Sequence, residues 1–116
     1  MATTVTPQSL TTAPSGLELT AVTASAPGTK DQAANPNGDL YVIVHNGSGS
    51  DIDMTFETHK TVGGAALTVP DQTKTVTAAT SQIFGPFSKD IFNDGDGNVV
   101  FFPSLETSIT YNVFTS

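Results

Sequence analysis

Leu40-Tyr41-Val42-Ile43-Val44-His45-Asn46-Gly47-Ser48-Gly49-Ser50-Asp51-Ile52-Asp53-Met54-Thr55-Phe56-Glu57 carries the strongest β signal in the chain. Leu40 to Val44 is an unbroken apolar run, the pattern of a central strand covered on both faces. Asn46-Gly47 supplies the positive φ angles that a tight connection needs. Beyond it the side chains alternate, with Ile52, Met54 and Phe56 apolar and Asp51, Asp53, Thr55 and Glu57 polar. Strand, glycine-rich turn and alternating strand predict a hairpin.

Upstream, residues 25–39 are turn-formers without periodicity and predict a long surface loop. Leu17, Leu19 and Ala21 alternate with polar residues, as in a half-buried strand. Residues 1–16 are Thr, Ser, Ala and Pro with little to bury, including Pro7 and Pro14. They predict an extended arm that orders against a partner or frays. Thr3, Thr4, Val5, Pro7 and Leu10 are therefore candidate contact residues.

Downstream, Leu67 and Val69 form a short strand ended by Pro70, and Lys74 to Thr77 another. Ile83 and Phe84 lead into Gly85-Pro86-Phe87, a kink that carries two aromatics toward the core. Ser88 to Phe92 fits one helical turn, with Ile91 and Phe92 plugging the end of a sandwich. Asn93 to Asn98 is a second strong turn before Val99 to Phe102, and Ile109, Tyr111 and Val113 share one face of a closing strand. Seven to nine strands at this spacing predict a single-domain antiparallel β-sandwich over residues 17–116, Ig-like or jelly-roll-like. Adjacent side chains on a strand point to opposite faces. Phe102 and Phe114, facing away from Phe101 and Tyr111, are thus candidates for a subunit interface or a second core face.

Composition supports the same class. The 116 residues are 37% hydrophobic and only 13% charged, with 10 Gly and 7 Pro. The polar share falls to 19 Thr and 10 Ser, and β-branched Thr suits the wet face of a strand. The net charge of −7 comes with four Lys and no Arg. Nucleic acid and anionic lipid both need clustered cations, and none cluster here, so neither is an expected partner. No Cys is present, so sulfur chemistry is outside the inventory. No apolar run reaches the ~20 residues of a membrane span, and the first residues lack a basic and an apolar signal region.

The chemical inventory is thin. Only His45 and His59 could serve a Ser nucleophile as base, and Asn46-Gly47-Ser48-Gly49 only superficially matches a nucleophile elbow. If the two histidines end paired strands of one hairpin, they lie far apart and hold no metal. Asp94-Gly95-Asp96-Gly97-Asn98 matches the first half of a calcium loop. Val99 and Leu105 stand where that loop requires Gly and Glu, so a plain Asp-Gly turn is the better reading. No catalytic, cofactor or metal residue is assigned.

The order of motifs adds a resemblance. His45-Asn46-Gly47, Leu67-Thr68-Val69-Pro70-Asp71, Gly85-Pro86-Phe87 and Phe92-Asn93-Asp94-Gly95, within roughly residues 38 to 114, resemble small proteins encoded near the major capsid gene of tailed bacteriophages. These are head decoration or minor capsid proteins. The resemblance implies a non-enzymatic virion structural protein that decorates or cements an assembled capsid. It implies manufacture in the host cytoplasm, a place on the capsid exterior, and the major capsid protein as partner. Closed rings, commonly trimers, suit local symmetry axes. A phage tail, neck or fibre-associated protein and a carbohydrate or cell-surface module are the alternatives.

Overall fold

The structure is a computed structural model that describes residues 3–9, 20–26, 28–59, 61–62, 67–68 and 70–115, of which 61–62 and 67–68 are described by backbone only. The elements are β1 (Thr3–Thr4), β2 (Gln8–Ser9), β3 (Val22–Thr23), β4 (Asp31–Ala34), β5 (Leu40–Asn46), β6 (Ile52–Phe56) and β7 (Thr61–Val62). They continue with β8 (Leu67–Thr68), β9 (Gln72–Val76), β10 (Ser81–Phe84), α1 (Lys89–Phe92), β11 (Asn98–Pro103) and β12 (Ile109–Thr115). The fold is all-β, as the alternation predicts.

One sheet runs β1-β4-β11-β6-β9; the second runs β10-β5-β12, with β2 and β3 both on the far side of β12. A small β7–β8 ladder stands apart. Set aside β1, β2 and that ladder, and eight antiparallel strands remain. They pair as nested shells: β3 with β12, β4 with β11, β5 with β10, β6 with β9. First pairs with last and each next pair lies inside it, as when one long hairpin is rolled over. That is jelly-roll topology, and it settles the choice against the Ig-like arrangement.

The nesting corrects the hairpin predicted at residues 40–57. β5 and β6 lie in opposite sheets, and residues 47–51 arch between them. The buried Asn46 holds the arch. Its Nδ2 donates to the Ser50 carbonyl at 2.8 Å and to the Val76 carbonyl at 3.0 Å, while its Oδ1 accepts from the Ser48 amide at 3.0 Å. β5 is central in its sheet, but only Leu40, Val42, Val44 and Asn46 are buried; Tyr41, Ile43 and His45 are half-exposed on the outer face. The expected coverage of both faces is corrected accordingly.

Two further expectations change. The supposed loop 25–39 contains β4, whose Asp31 and Ala33 are buried beside β11. The supposed arm is extended, but its described part is wound into the domain. β1 pairs parallel with β4, β2 pairs parallel with β12, and Val5 between them is 4% exposed within the core. Residues 3–9 thus strap the edge of one sheet to that of the other, and the Val5 amide donates to the Gln32 carbonyl at 2.7 Å.

Between the sheets, Val42 and Val44 from β5 and Tyr111 and Val113 from β12 meet Met54 and Phe56 from β6 and Val99 and Phe101 from β11. Phe56 is the hub: its ring centroid lies 4.9 Å from Phe84, 4.9 Å from Phe87 and 5.7 Å from Phe101. The Gly85-Pro86-Phe87 kink therefore delivers both aromatics inward, as predicted, and Phe92 of the single-turn α1 packs edge-on against Phe87 at 5.2 Å.

At that end of the sandwich, fully buried Asn35 ties three segments together. Its Nδ2 donates to the Phe87 carbonyl (2.9 Å) and to Asn93 Oδ1 (2.8 Å), and its Oδ1 accepts from the Leu40 amide (3.3 Å). Asn93 Nδ2 returns a bond to the Asn35 carbonyl at 2.8 Å. Asn35→Ala strips these partners inside the protein and is expected to cost about 2–3 kcal/mol, read as a melting temperature lower by roughly 10 °C.

Candidate functional site: the two outer sheet faces

Among the described residues no cavity opens and no group of three metal-ligating side chains converges. What the fold offers is two flat faces of different chemistry.

The outer face of the first sheet is polar and charged. Thr55 and Thr73 hydroxyls meet at 3.2 Å, and the Thr75 hydroxyl donates to Asp53 Oδ1 at 2.7 Å. Gln32 Nε2 donates to the Thr4 hydroxyl at 3.1 Å, and the Ser25 hydroxyl donates to that of Thr3 at 3.1 Å. Thr3 and Thr4 are exposed but engaged within the chain. Phe102 points outward here, as its position beside Phe101 predicts. The Lys30 ammonium lies 5.3 Å from its ring centre and pairs with Glu57. His59 Nε2 sits 3.8 Å from Glu57 Oε1, and its Nδ1 lies 3.2 Å from the Phe92 carbonyl.

The outer face of the second sheet is uncharged. Phe114 stacks on Tyr41 with centroids 5.3 Å apart and planes 11° from parallel. This leaves Phe114 only 8% exposed, so its ring is largely spent inside the chain. Ile43 is half-buried beside them, and Ile83, on the terminal strand β10, is 56% exposed. At the other end of the face, Ser81 on β10 stands opposite His45 on β5, and Asn112 on β12 is its diagonal neighbour. His45 Nδ1 lies 2.7 Å from the Ser81 hydroxyl, and its Nε2 meets Asn112 Oδ1.

This Ser–His–Asn row escapes sequence reading, because its members lie 36 and 67 positions apart and meet only through strand register. It has the order of nucleophile, base and orienting group. Acyl transfer also needs oxyanion donors around a seated substrate, and here the row lies on an open face. Its evident work is to bind three strands side by side.

The remaining predicted positions are placed as follows. His45 lies on β5 and His59 in the connection after β6, and the two have separate partners; the hairpin that motivated their expected separation does not form. Asp94 Oδ1 accepts from the amides of Asp96 (2.9 Å) and Asn98 (3.0 Å), the bonding of a turn before β11. Val5 is core and Pro7 is half-buried in the strap, while Leu10 lies outside the described residues.

Two buried polar groups, Asp31 on β4 and Tyr111 on β12, lie on opposite sheets, and among the described residues neither Asp31 Oδ1 nor the Tyr111 hydroxyl makes a hydrogen bond. Asp31 is 1% exposed and the Tyr111 hydroxyl is sealed from water. Burial, reinforced by the facing Asp31 carboxyl, pushes the Tyr111 phenol well above its ordinary value. The folded state holds Tyr111 neutral, whereas the unfolded chain ionises it near pH 10. Stability is therefore whole below pH 10 and falls above it by up to about 1.4 kcal/mol per pH unit. Tyr111→Phe is expected to flatten that alkaline slope; urea midpoints measured across pH 9 to 12 (roughly the window set by the free phenol) check it.

These sheets, nested pairings and packed faces define an eight-stranded jelly roll with an N-terminal strap. No family profile, curated protein or solved structure matches the chain.

Proposed function

We propose that this chain is a virion structural protein that docks on an assembled bacteriophage capsid and decorates or cements it. The observation that carries the proposal is the nested eight-strand topology. Jelly rolls are the double-sheet architecture of viral capsid and lectin domains, and architecture is the kind of warrant offered here. The two faces add to it. A flat, close-packed sandwich braced by Asn35 and Asn46 can present a rigid surface at many equivalent sites, and one face is free of charge. The resemblance over residues 38 to 114 points the same way.

The lectin alternative draws on the same topology but finds little ring surface to stack a sugar on. Phe56, Phe84, Phe87, Phe92, Phe101 and Tyr111 pack against one another, and Tyr41 gives one ring face to Phe114.

The test is direct. Purified protein added to expanded capsids lacking it is expected to cosediment with them and raise their melting temperature. Mass spectrometry of virions is expected to find it at hundreds of copies (about what icosahedral site counts give for a ring-forming subunit). Failure to bind capsids sinks the proposal, and a handful of copies moves it to the neck or tail.

A further inference from the structure

We infer that Asn37 is a self-modification site, at which the chain converts asparagine to aspartate and isoaspartate, and that the fold forbids the same reaction at Asn46. The sequence has two Asn-Gly dipeptides, Asn37-Gly38 and Asn46-Gly47. Asparagine is a chemically labile residue, and a following glycine, with no Cβ, leaves its amide nitrogen open to close approach. That nitrogen bonds to the Asn Cγ as the Cγ–Nδ2 bond breaks, and the displaced nitrogen leaves as ammonia with the glycine amide proton. Water then opens the cyclic imide at either carbonyl. The balance is amide plus water to carboxylate plus ammonium, with no oxidant or reductant.

The two sites differ in what holds these atoms. Asn46 is 2% exposed, and its Nδ2, the leaving group, donates to the Ser50 and Val76 carbonyls at 2.8 and 3.0 Å. Its Oδ1 accepts from the Ser48 amide at 3.0 Å, which fixes the carboxamide plane. The attacking nitrogen is held too, since the Gly47 amide donates to the Ser108 carbonyl at 2.9 Å. Cyclisation there must break these bonds, so it proceeds only from molecules whose arch has opened.

At Asn37 nothing of the kind stands in the way. Asn37 is exposed in the connection between β4 and β5, and among the described residues neither its carboxamide nor the Gly38 amide has a hydrogen-bond partner. Its reaction needs no opening. The isoaspartate product carries the main chain through Cβ and so lengthens the segment from Asn35 to Leu40, which the Asn35 Oδ1 bond to the Leu40 amide closes at 3.3 Å. Each conversion also adds a negative charge to the −7 of the chain.

The full chain is incubated in mildly alkaline buffer, folded or in urea, and digested with trypsin. One peptide, Asp31 to Lys60, carries both sites, and its fragment masses report each. In the folded chain Asn37 is expected to convert at least about 100-fold faster than Asn46, a barrier difference of about 2.7 kcal/mol. In urea the two are expected to convert at comparable rates. Ion exchange is expected to show acidic forms accumulating in the parent and not in Asn37→Gln, whose longer side chain closes a less favourable ring. An Asn37 that stays intact in the folded chain, or equal conversion at the two sites there, overturns the inference. An Asn46 that stays intact in urea as well overturns the protective role of the arch.

Discussion

Val42→Asp is expected to leave the chain unfolded at 25 °C. Val42 is 0% exposed at the centre of β5, flanked in register by Phe84 on β10 and Val113 on β12. The substitution forfeits about 1.5–3 kcal/mol of apolar burial. It also leaves a carboxylate where the described core holds no cation, at a cost of several kcal/mol more. Together these reach into the lower part of the roughly 5–15 kcal/mol by which domains of this size are stable. Far-ultraviolet circular dichroism and dispersion of amide proton resonances check it. A cooperative melt near the parent's would show that β5 is not the spine of the second sheet.

Gly85→Ala is the second large effect, and it arises from space rather than charge. Gly85 adopts φ +122°, and a Cβ there would stand 2.6 Å from the Leu40 carbonyl oxygen and 3.1 Å from Tyr41 Cα. Both neighbours are backbone of the central strand, so neither can swing aside. A backbone conformation that L-residues rarely adopt costs about 1–3 kcal/mol, and the clash adds to it. A loss of about 3 kcal/mol or more corresponds to a melting temperature lower by roughly 12 °C. Gly95→Ala is the matched control, since a Cβ at Gly95 meets nothing within 4 Å.

Local chemistry was legible in the sequence; long-range pairing was not. The alternation at Ile52, Met54 and Phe56 and at Ile109, Tyr111 and Val113 reports which side chains face inward, and each of these is buried. The kink at Gly85-Pro86-Phe87 and the single turn of α1 follow equally from local preference. Whether β5 and β6 pair or arch is a different matter. A glycine-rich connection serves both, and the choice rests on Asn46 reaching Val76, thirty residues away. β4 was hidden because Asp31-Gln32-Ala33-Ala34 is a poor strand by propensity and is held by its neighbours β1 and β11. Val5 was picked out as a contact residue, yet the surface it meets belongs to its own chain. Of the candidate faces, the outward direction of Phe102 and Phe114 was readable from their parity. Lys30 over one ring and Tyr41 against the other were not, because both contacts close between strands distant in sequence.

The nested pairing has a consequence for how the chain is made. β2, β3 and one flank of β5 wait for β12, which lies between β5 on one side and β2 and β3 on the other. A ribosome must therefore synthesise residues 109–115 before β2, β3 or the long flank of β5 has a neighbour. Until then β5 keeps one edge of unpaired backbone groups beside an apolar run, a stretch suited to capture by chaperones or by other nascent copies. Slower translation or lower temperature during expression should therefore raise the soluble yield more than any change to the finished surface.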